Sequence, residues 1–289
     1  MKILVLLKTW PGGVGGGVKN IIEELEKLGH EVNVIARKED LKIYSFLKSI
    51  FTIRKIIKDN GKNYDIIYTH DWSLAFPLFF LLPIYRKKHF SMFHGYQNGI
   101  GGLLQYLVAK LLGNHLLVMA PSLKKRFPWA NINYCGVDLE KFKDLKKKRK
   151  NLGWIDKGTE IINKKEIEEI GRKLNMSILI AKGLKYEEMN EKFYNKCKIF
   201  ISFPPMCSGF QASWLEAMAA GVPIVMGNNN GAGEVQPFNK IPLGEEHNIQ
   251  LIIEKIKNPS KKDYKKWIKE NDFTWKRHAD KLIEIWSEN

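Results

Sequence analysis

Apolar and polar positions along the chain follow two periods in turn, and the switches between them lay out the elements. Ile3–Leu7 is an unbroken aliphatic run of the kind that lies inside a parallel sheet. TWPGGVGGG follows it, and Val18, Ile21, Ile22, Leu25 and Leu28 then recur at helical spacing. Gly29 stops that helix, and Glu31–Ala36 (EVNVIA) alternates as a second strand, which completes a right-handed βαβ unit. Further strands are predicted at Asp65–Thr69, His89–Phe93 and Leu116–Ala120, with helical periods between them. The alternation restarts after the lysine-rich Lys141–Lys150, with strands at Asn151–Ile155, Ser177–Ala181, Lys198–Phe203 and Pro223–Met226. Helices are expected near Glu160–Leu174, Glu187–Lys196 and Phe210–Ala220, and a helical tail runs from Tyr264 to Trp286 with a break near Asn271–Thr274.

This pattern predicts an α/β protein of two Rossmann-like, doubly wound parallel-sheet domains. Residues 1–143 form the first, 144–271 the second, and the terminal helix, about 272–289, returns to the first. A length of 289 residues suits two compact cores, and 44% hydrophobic with 11% aromatic residues excludes disorder for the body of the chain. Cys135, Cys197 and Cys207 are far apart and lack any zinc-ligand spacing, so a reducing, cytoplasmic setting fits. The opening MKILVLLK reads as a buried strand, because its apolar run is short and a glycine-rich segment follows at once.

The longest apolar stretch, Leu74–Tyr85 (LAFPLFFLLPIY), is broken by Pro77 and Pro83 and is too short to span a bilayer. Arg86, Lys87 and Lys88 follow it, which leaves two readings: a core helix, or a peripheral contact with an anionic membrane surface. The formal net charge of +16 attracts polyanions, anionic lipids and phosphorylated substrates alike. Nucleic acid is the weakest of these partners, since basic patches interleaved with stacking aromatics are missing.

In open parallel sheets ligands bind beyond the carboxyl ends of the strands, so the loops at those ends are the candidates. Gly12, Gly13, Gly15, Gly16 and Gly17 lie between the first strand and its helix, where bare backbone can approach a phosphate. His70 and Asp71 follow the third strand, and His94 follows the fourth in a loop with Gly95, Gln97, Asn98 and Gly99. A neutral imidazole there can hydrogen-bond a sugar hydroxyl. Glu216 sits midway along an otherwise apolar helix, where burial demands a hydrogen-bonding partner; the hydroxyls of a ribose would serve.

Read in order, Gly12-Gly13, GHEV at 29–32, His70-Asp71, His94-Gly95, CGVDLEKF at 135–142, DKG at 156–158, LEAMAAGVPIV at 215–225, GAGEV at 231–235 and FTW at 273–275 resemble the retaining GT-B glycosyltransferases of glycosyltransferase family 4. The resemblance implies two domains facing a cleft and sugar transfer from a nucleoside-diphosphate sugar, UDP- or GDP-linked, to a glycan or lipid-linked acceptor. It implies that Gly13, Gly15 and Gly16 face the donor phosphate and that Ser208, Gly209 and Phe210 line the donor site. It also implies that Glu216 holds the ribose, that Lys157 neutralises the diphosphate and that Glu234 stands near the sugar. His94 would lie by the transferred sugar, with His70, Asp71, Gln97 and Asn98 on the acceptor side. No Asp-x-Asp occurs, which suits a metal-independent reaction with no cofactor beyond the donor.

Two departures stand out. The family's first motif glutamate falls at Ser208, and its arginine before Lys157 is out of register, leaving Arg149 or Arg172 as substitutes. The stretch from Lys157 to Met176 also reads as a shortened second domain. The alternative function is therefore a catalytically degenerate nucleotide-sugar or glycan-binding protein of the same fold.

Overall fold

The computed structural model describes residues 1–8, 14–37, 40, 46–81, 83–156, 158, 160–205, 208–228, 239–259 and 263–288. The chain forms two compact units, Met1–Cys135 with Trp275–Asn289, and Gly136–Thr274. The lysine-rich Lys141–Lys150 lies inside the second unit.

The first unit contains strands β1 (Lys2–Leu7), β2 (Glu31–Ala36), β3 (Ile66–His70), β4 (His89–Phe93), β5 (Leu116–Val118) and β6 (Asn131–Ile132). Its helices are α1 (Val14–Lys27), α2 (Phe46–Asn60), α3 (Trp72–Leu81), α4 (Gly99–Leu112) and α5 (Pro121–Arg126). Among the described residues the strands form one parallel sheet in the order β2-β1-β3-β4-β5-β6. Connections run one way from β1 to β2 and the other way from β3 onward, so right-handed crossovers send the helices to opposite faces. Helices α2, α3 and α4 pack side by side on one face.

The second unit holds β7 (Asn151–Trp154), α6 (Lys164–Lys173), β8 (Ile178–Ile180), β9 (Cys197–Ser202), α7 (Ala212–Ala219), β10 (Ile224–Gly227), β11 (Asn239–Ile241), α8 (Ile249–Lys257) and α9 (Tyr264–Glu270). Its described strands are parallel in the order β11-β10-β9-β7-β8. Isoleucines of α6 and α8 cover one face of this sheet with Leu152, Trp154 and Ile201. The chain then returns to the first unit as α10 (Trp275–Ser287), which packs on α1. Gly17 permits that approach, since a Cβ there would lie 3.1 Å from the Trp275 ring.

Four helices end in one device. After α1, α6, α7 and α9, the residues Gly29, Asn175, Gly221 and Asp272 take positive φ, and the next N–H closes back on the carbonyl five residues earlier. The two glycines mark their helix ends in the sequence. Asn175 and Asp272 do so less plainly, being tolerated rather than favoured in that conformation.

Two expectations are corrected. The helix expected at Glu187–Lys196 is a succession of 3-10 and π turns, in which the buried Asn195 side chain donates to the Lys143 carbonyl and to Asn190 Oδ1, tertiary bonds that override the local helical preference. Gly15, Gly16 and Gly17 belong to α1 itself rather than to the loop before it. In the apolar stretch, Leu74, Ala75, Leu78 and Tyr85 are buried. Lys88 donates to the carbonyls of Gly61 and Tyr64, and these residues of the stretch pack as a core element, while Ile84 stays exposed.

In β7, a Cβ on Gly153 would meet Cys197 Sγ at 2.3 Å and Phe193 Cζ at 3.2 Å. Gly153→Ala is therefore expected to destabilise the protein by about 1–3 kcal/mol, read as a lower urea midpoint at unchanged slope.

Candidate active site at the strand ends

Both sheets have a switch point where the direction of winding reverses, β1/β3 in the first unit and β7/β9 in the second, and a polar contact bridges each. In the first, Lys8 leaves the end of β1 and its Nζ lies 3.1 Å from Asp71 Oδ2, beyond the end of β3. Asp71 has φ of 106°, a region that non-glycine residues rarely enter and that costs about 1–3 kcal/mol. Its surroundings fix it there. The Asp71 N–H donates to the Met92 carbonyl at 3.0 Å, and Asp71 Oδ1 accepts from the Ser73 N–H at 2.8 Å, capping α3. The strained turn thus holds a carboxylate, with its side chain part-exposed, opposite a lysine.

Next to this pair stand the histidines. His70 is the last residue of β3 and is buried; His94 follows β4. Their rings stack with centroids 5.4 Å apart, and His70 Nδ1 lies 3.1 Å from His94 Nε2. His94 Nδ1 contacts Met119 Sδ at 2.9 Å, just past β5. A thioether can only accept, so His94 carries its proton on Nδ1 and its Nε2 accepts from His70 Nδ1–H. His278 of α10 donates from Nδ1 to the Tyr134 carbonyl at 2.7 Å. Both assignments leave the Nε2 lone pairs of His70 and His278 bare, and each of these atoms is buried without a hydrogen-bond partner.

Burial pushes His94 and His278 down to about 4. Asp71 opposes the shift at His94, as the bond to the Tyr134 carbonyl does at His278. Burial, together with the neighbouring His94 and His278, drives His70 well below the usual imidazole range. The cluster is neutral at physiological pH.

The remaining acceptor-side candidates do different work. Gln97 and Asn98 are exposed; the Gln97 N–H donates to Gln105 Oε1 at 2.8 Å, and Asn98 is the N-cap residue of α4.

In the second unit, Glu160 lies beyond β7 and accepts from the Phe203 N–H at 2.8 Å, bridging to the end of β9. Asp156 Oδ1 accepts from the Gly158 N–H at 2.8 Å and closes the DKG turn, with Gly158 at positive φ. Glu216 is buried, as its apolar helix requires, and its partner is internal: the Tyr194 O–H donates to Glu216 Oε2 at 2.7 Å. Burial and the adjacent Glu216 carboxylate raise Tyr194 well above the ordinary phenol range, so it stays a donor.

Gly209 is buried, and the Ser208 N–H donates to the Pro205 carbonyl at 2.9 Å. Phe210 stacks on Phe273 at 5.7 Å, which in turn stacks on Trp267 at 5.0 Å, so its ring belongs to an aromatic core. Gly13, Lys157 and Glu234 lie outside the described residues.

Neither proposed arginine reaches this end of the sheet. Arg149 precedes β7, donates to Gly221 O at 2.7 Å, and pairs with Asp144 at 2.8 Å. It locks the end of α7 at the amino edge of the sheet, and Arg172, in the last turn of α6, is at that same edge. Lys8, Met119, Tyr194 and His278 were not singled out in the sequence. The strand-end rule applied to Lys8 and Met119 would have found two of them.

No protein-family model matches the chain, and no curated protein does. Solved structures match over its whole length. A sucrose-phosphate synthase from Thermosynechococcus elongatus superposes with a TM-score of 0.72 at 13% identity, covering 100% of this chain and 98% of that one. HepE of Anabaena in complex with UDP-glucose gives 0.65 at 12%, covering 100% of both chains. An E. coli trehalose-6-phosphate structure bound with UDP-2-fluoro glucose gives 0.68 at 9%, covering 100% and 99%. The fold is that of the GT-B glycosyltransferases.

Within this GT-B chain the histidine cluster couples stability to pH. His94 and His278 titrate near 6.5 when unfolded and about 4 when folded, so only the unfolded chain takes up their protons between those limits. Their contribution is complete above pH 6.5 and is lost as the pH falls toward 4. His278→Gln is expected to make the loss of urea stability from pH 7 to pH 5 smaller by about 2 kcal/mol, whatever it does to stability at pH 7. An unchanged difference would show that His278 is already charged in the fold.

Proposed function

We propose that the protein is a glycosyltransferase that moves a sugar from a UDP- or GDP-sugar to a glycan or lipid-linked acceptor, with retention of configuration and no metal. One observation carries the reading. A neutral, hydrogen-bonded His70–His94 pair stands beside the strained Asp71 and Lys8 at the switch point of the first sheet. This arrangement occurs in a fold shared with structures complexed with UDP and UDP-glucose.

A neutral imidazole suits the task, because it can orient a sugar hydroxyl without fixing a cation where an oxocarbenium-like charge develops. Met119 is a weak acceptor, so His94 Nδ1–H can exchange the sulfur for a hydroxyl oxygen at small cost. Asp71 and Lys8 supply further polar contacts on the acceptor side.

For the donor we assign Glu216 to the ribose. Tyr194 holds one of its oxygens and thereby fixes the direction of the carboxylate. Lys157 is assigned to the leaving diphosphate and Glu234 to the sugar, on the strength of the sequence motifs alone. The absence of Asp-x-Asp from the chain supports a metal-independent reaction.

A thermal-shift panel of UDP, GDP, ADP and their sugar conjugates, with and without magnesium, tests the donor. One nucleoside diphosphate is expected to raise the melting temperature regardless of magnesium, and Glu216→Ala to reduce that shift. His94→Ala is expected to keep the shift and to lower donor turnover by about a hundredfold. Binding without any turnover by the unsubstituted protein would favour the degenerate reading, for which Ser208 at the motif-glutamate position already speaks. No shift with any of these compounds, in a cooperatively melting protein, would remove the donor assignment.

A further inference from the structure

Helix α4 is apolar on two faces: Val108, Ala109 and Leu112 enter the core, and a second apolar stripe faces outward. Its buried face carries Gln105, which spends its amide on Gln97 N–H and the Gly95 carbonyl, both at 2.8 Å. Its outer face carries Ile100, Leu103 and Leu107, which are 81%, 60% and 43% exposed. At about 100° per residue these three fall within about 60° of arc, along about 10 Å of helix. A surface helix ordinarily turns such residues inward, so this stripe is an apolar face left exposed among the described residues.

The charge around the stripe has one sign. Between Asp71 and Asp138 the chain contains no Asp or Glu and seven Lys and Arg residues. Lys110 is exposed on α4 itself, beside the stripe by the same helical geometry. Arg126 lies 5.9 Å from the Tyr106 ring of α4, on one flank. Arg86 donates to the Leu111 carbonyl at 3.2 Å, which brings the turn Pro83–Lys88, with its 75% exposed Ile84 and its exposed Lys87, to the far end of the helix.

We propose that this face of α4 docks on an anionic lipid surface, the leucines and isoleucine entering the acyl boundary while the surrounding cations meet the headgroups. The chemistry selects that occupant. Aliphatic side chains enter hydrocarbon but give a nucleic acid base nothing to stack on. A second copy of the chain would set the cationic rim against itself. Long lysine and arginine stems reach headgroups while their methylenes stay in the apolar layer. The inference uses none of the sugar-transfer assignment and holds or fails independently of it.

Co-sedimentation of the protein with vesicles tests it, comparing phosphatidylcholine containing about 30% phosphatidylglycerol with pure phosphatidylcholine. The protein is expected to partition at least tenfold more strongly onto the anionic vesicles. The triple variant Ile100→Gln, Leu103→Gln and Leu107→Gln is expected to lose at least tenfold of that binding with its melting temperature unchanged, as all three side chains are exposed. Lys110→Glu is expected to weaken binding and to steepen its sensitivity to neutral lipid content.

Equal binding by the triple variant and the unsubstituted protein would overturn the proposal, since charge alone would then explain the partitioning. It would equally be overturned by a stripe-dependent dimer in sedimentation velocity, or by displacement from vesicles by a homopolymeric RNA that the triple variant binds as well.

Discussion

The first unit depends on burying uncharged imidazole. His70 and His94 sit where β3 and β4 end, and His278 comes from α10, a helix contributed by the far end of the chain. Three histidines packed this closely can share a low-dielectric interior only as neutral rings, and each proton must then be assigned to one nitrogen. A thioether at Met119 and a carbonyl at Tyr134, neither able to donate, make that assignment. The rest of the layer follows from admitting α10: Gly17 gives it room, Asn133 holds its His278 carbonyl at 3.1 Å, and Trp286 packs edge-on against Tyr68.

The second unit solves a related problem with oxygen. Glu216 is a carboxylate in an apolar helix, and the fold supplies a phenol whose own proton is held fast by burial. At the opposite edge Arg149 ties Asp144 to the carbonyl end of α7, so the middle and the carboxyl end of that helix are held by side chains from elsewhere in the unit. In each sheet a polar contact spans the switch-point crevice, Lys8 to Asp71 in the first and Glu160 to Phe203 in the second, placing a polar group where ligands of open parallel sheets bind. Rigid strand ends and a strained Asp71 are consistent with a preorganised site, since strain of this kind persists only when neighbours over-determine it.

Much of this was legible in the sequence, and the physical reason differs from case to case. Ile3–Leu7 and Glu31–Ala36 announce themselves because buried parallel strands and half-buried ones have different periods. The break in the tail near Asn271–Thr274 matches the turn between α9 and α10. The helix expected at Glu187–Lys196 is not formed because composition reports only local preference, while the bonds of the Asn195 side chain to Lys143 and Asn190 are tertiary. His70 and His94 were found by position alone, but their contact was invisible, since 24 residues separate them and only the parallel pairing of β3 with β4 brings their ends together. His278 and Tyr194 left no local signal. Each acts on a residue far away in sequence, and Glu216 seemed to need an outside partner only because its inside partner could not be read. Arg149 carried the opposite error: a cation looked available for a phosphate until its carbonyl partners were known.

The arrangement of the first unit turns on the charge and tautomer of the histidines at the strand ends. Long-range nitrogen-15 NMR of the imidazole rings, followed from pH 8 to pH 5, reads both directly. His94 is expected to carry its proton on Nδ1 with Nε2 unprotonated, His278 to do the same, and neither to begin titrating until the pH nears 5. An imidazolium at His94 or His278 at pH 7, or a proton on His94 Nε2, would contradict this assignment.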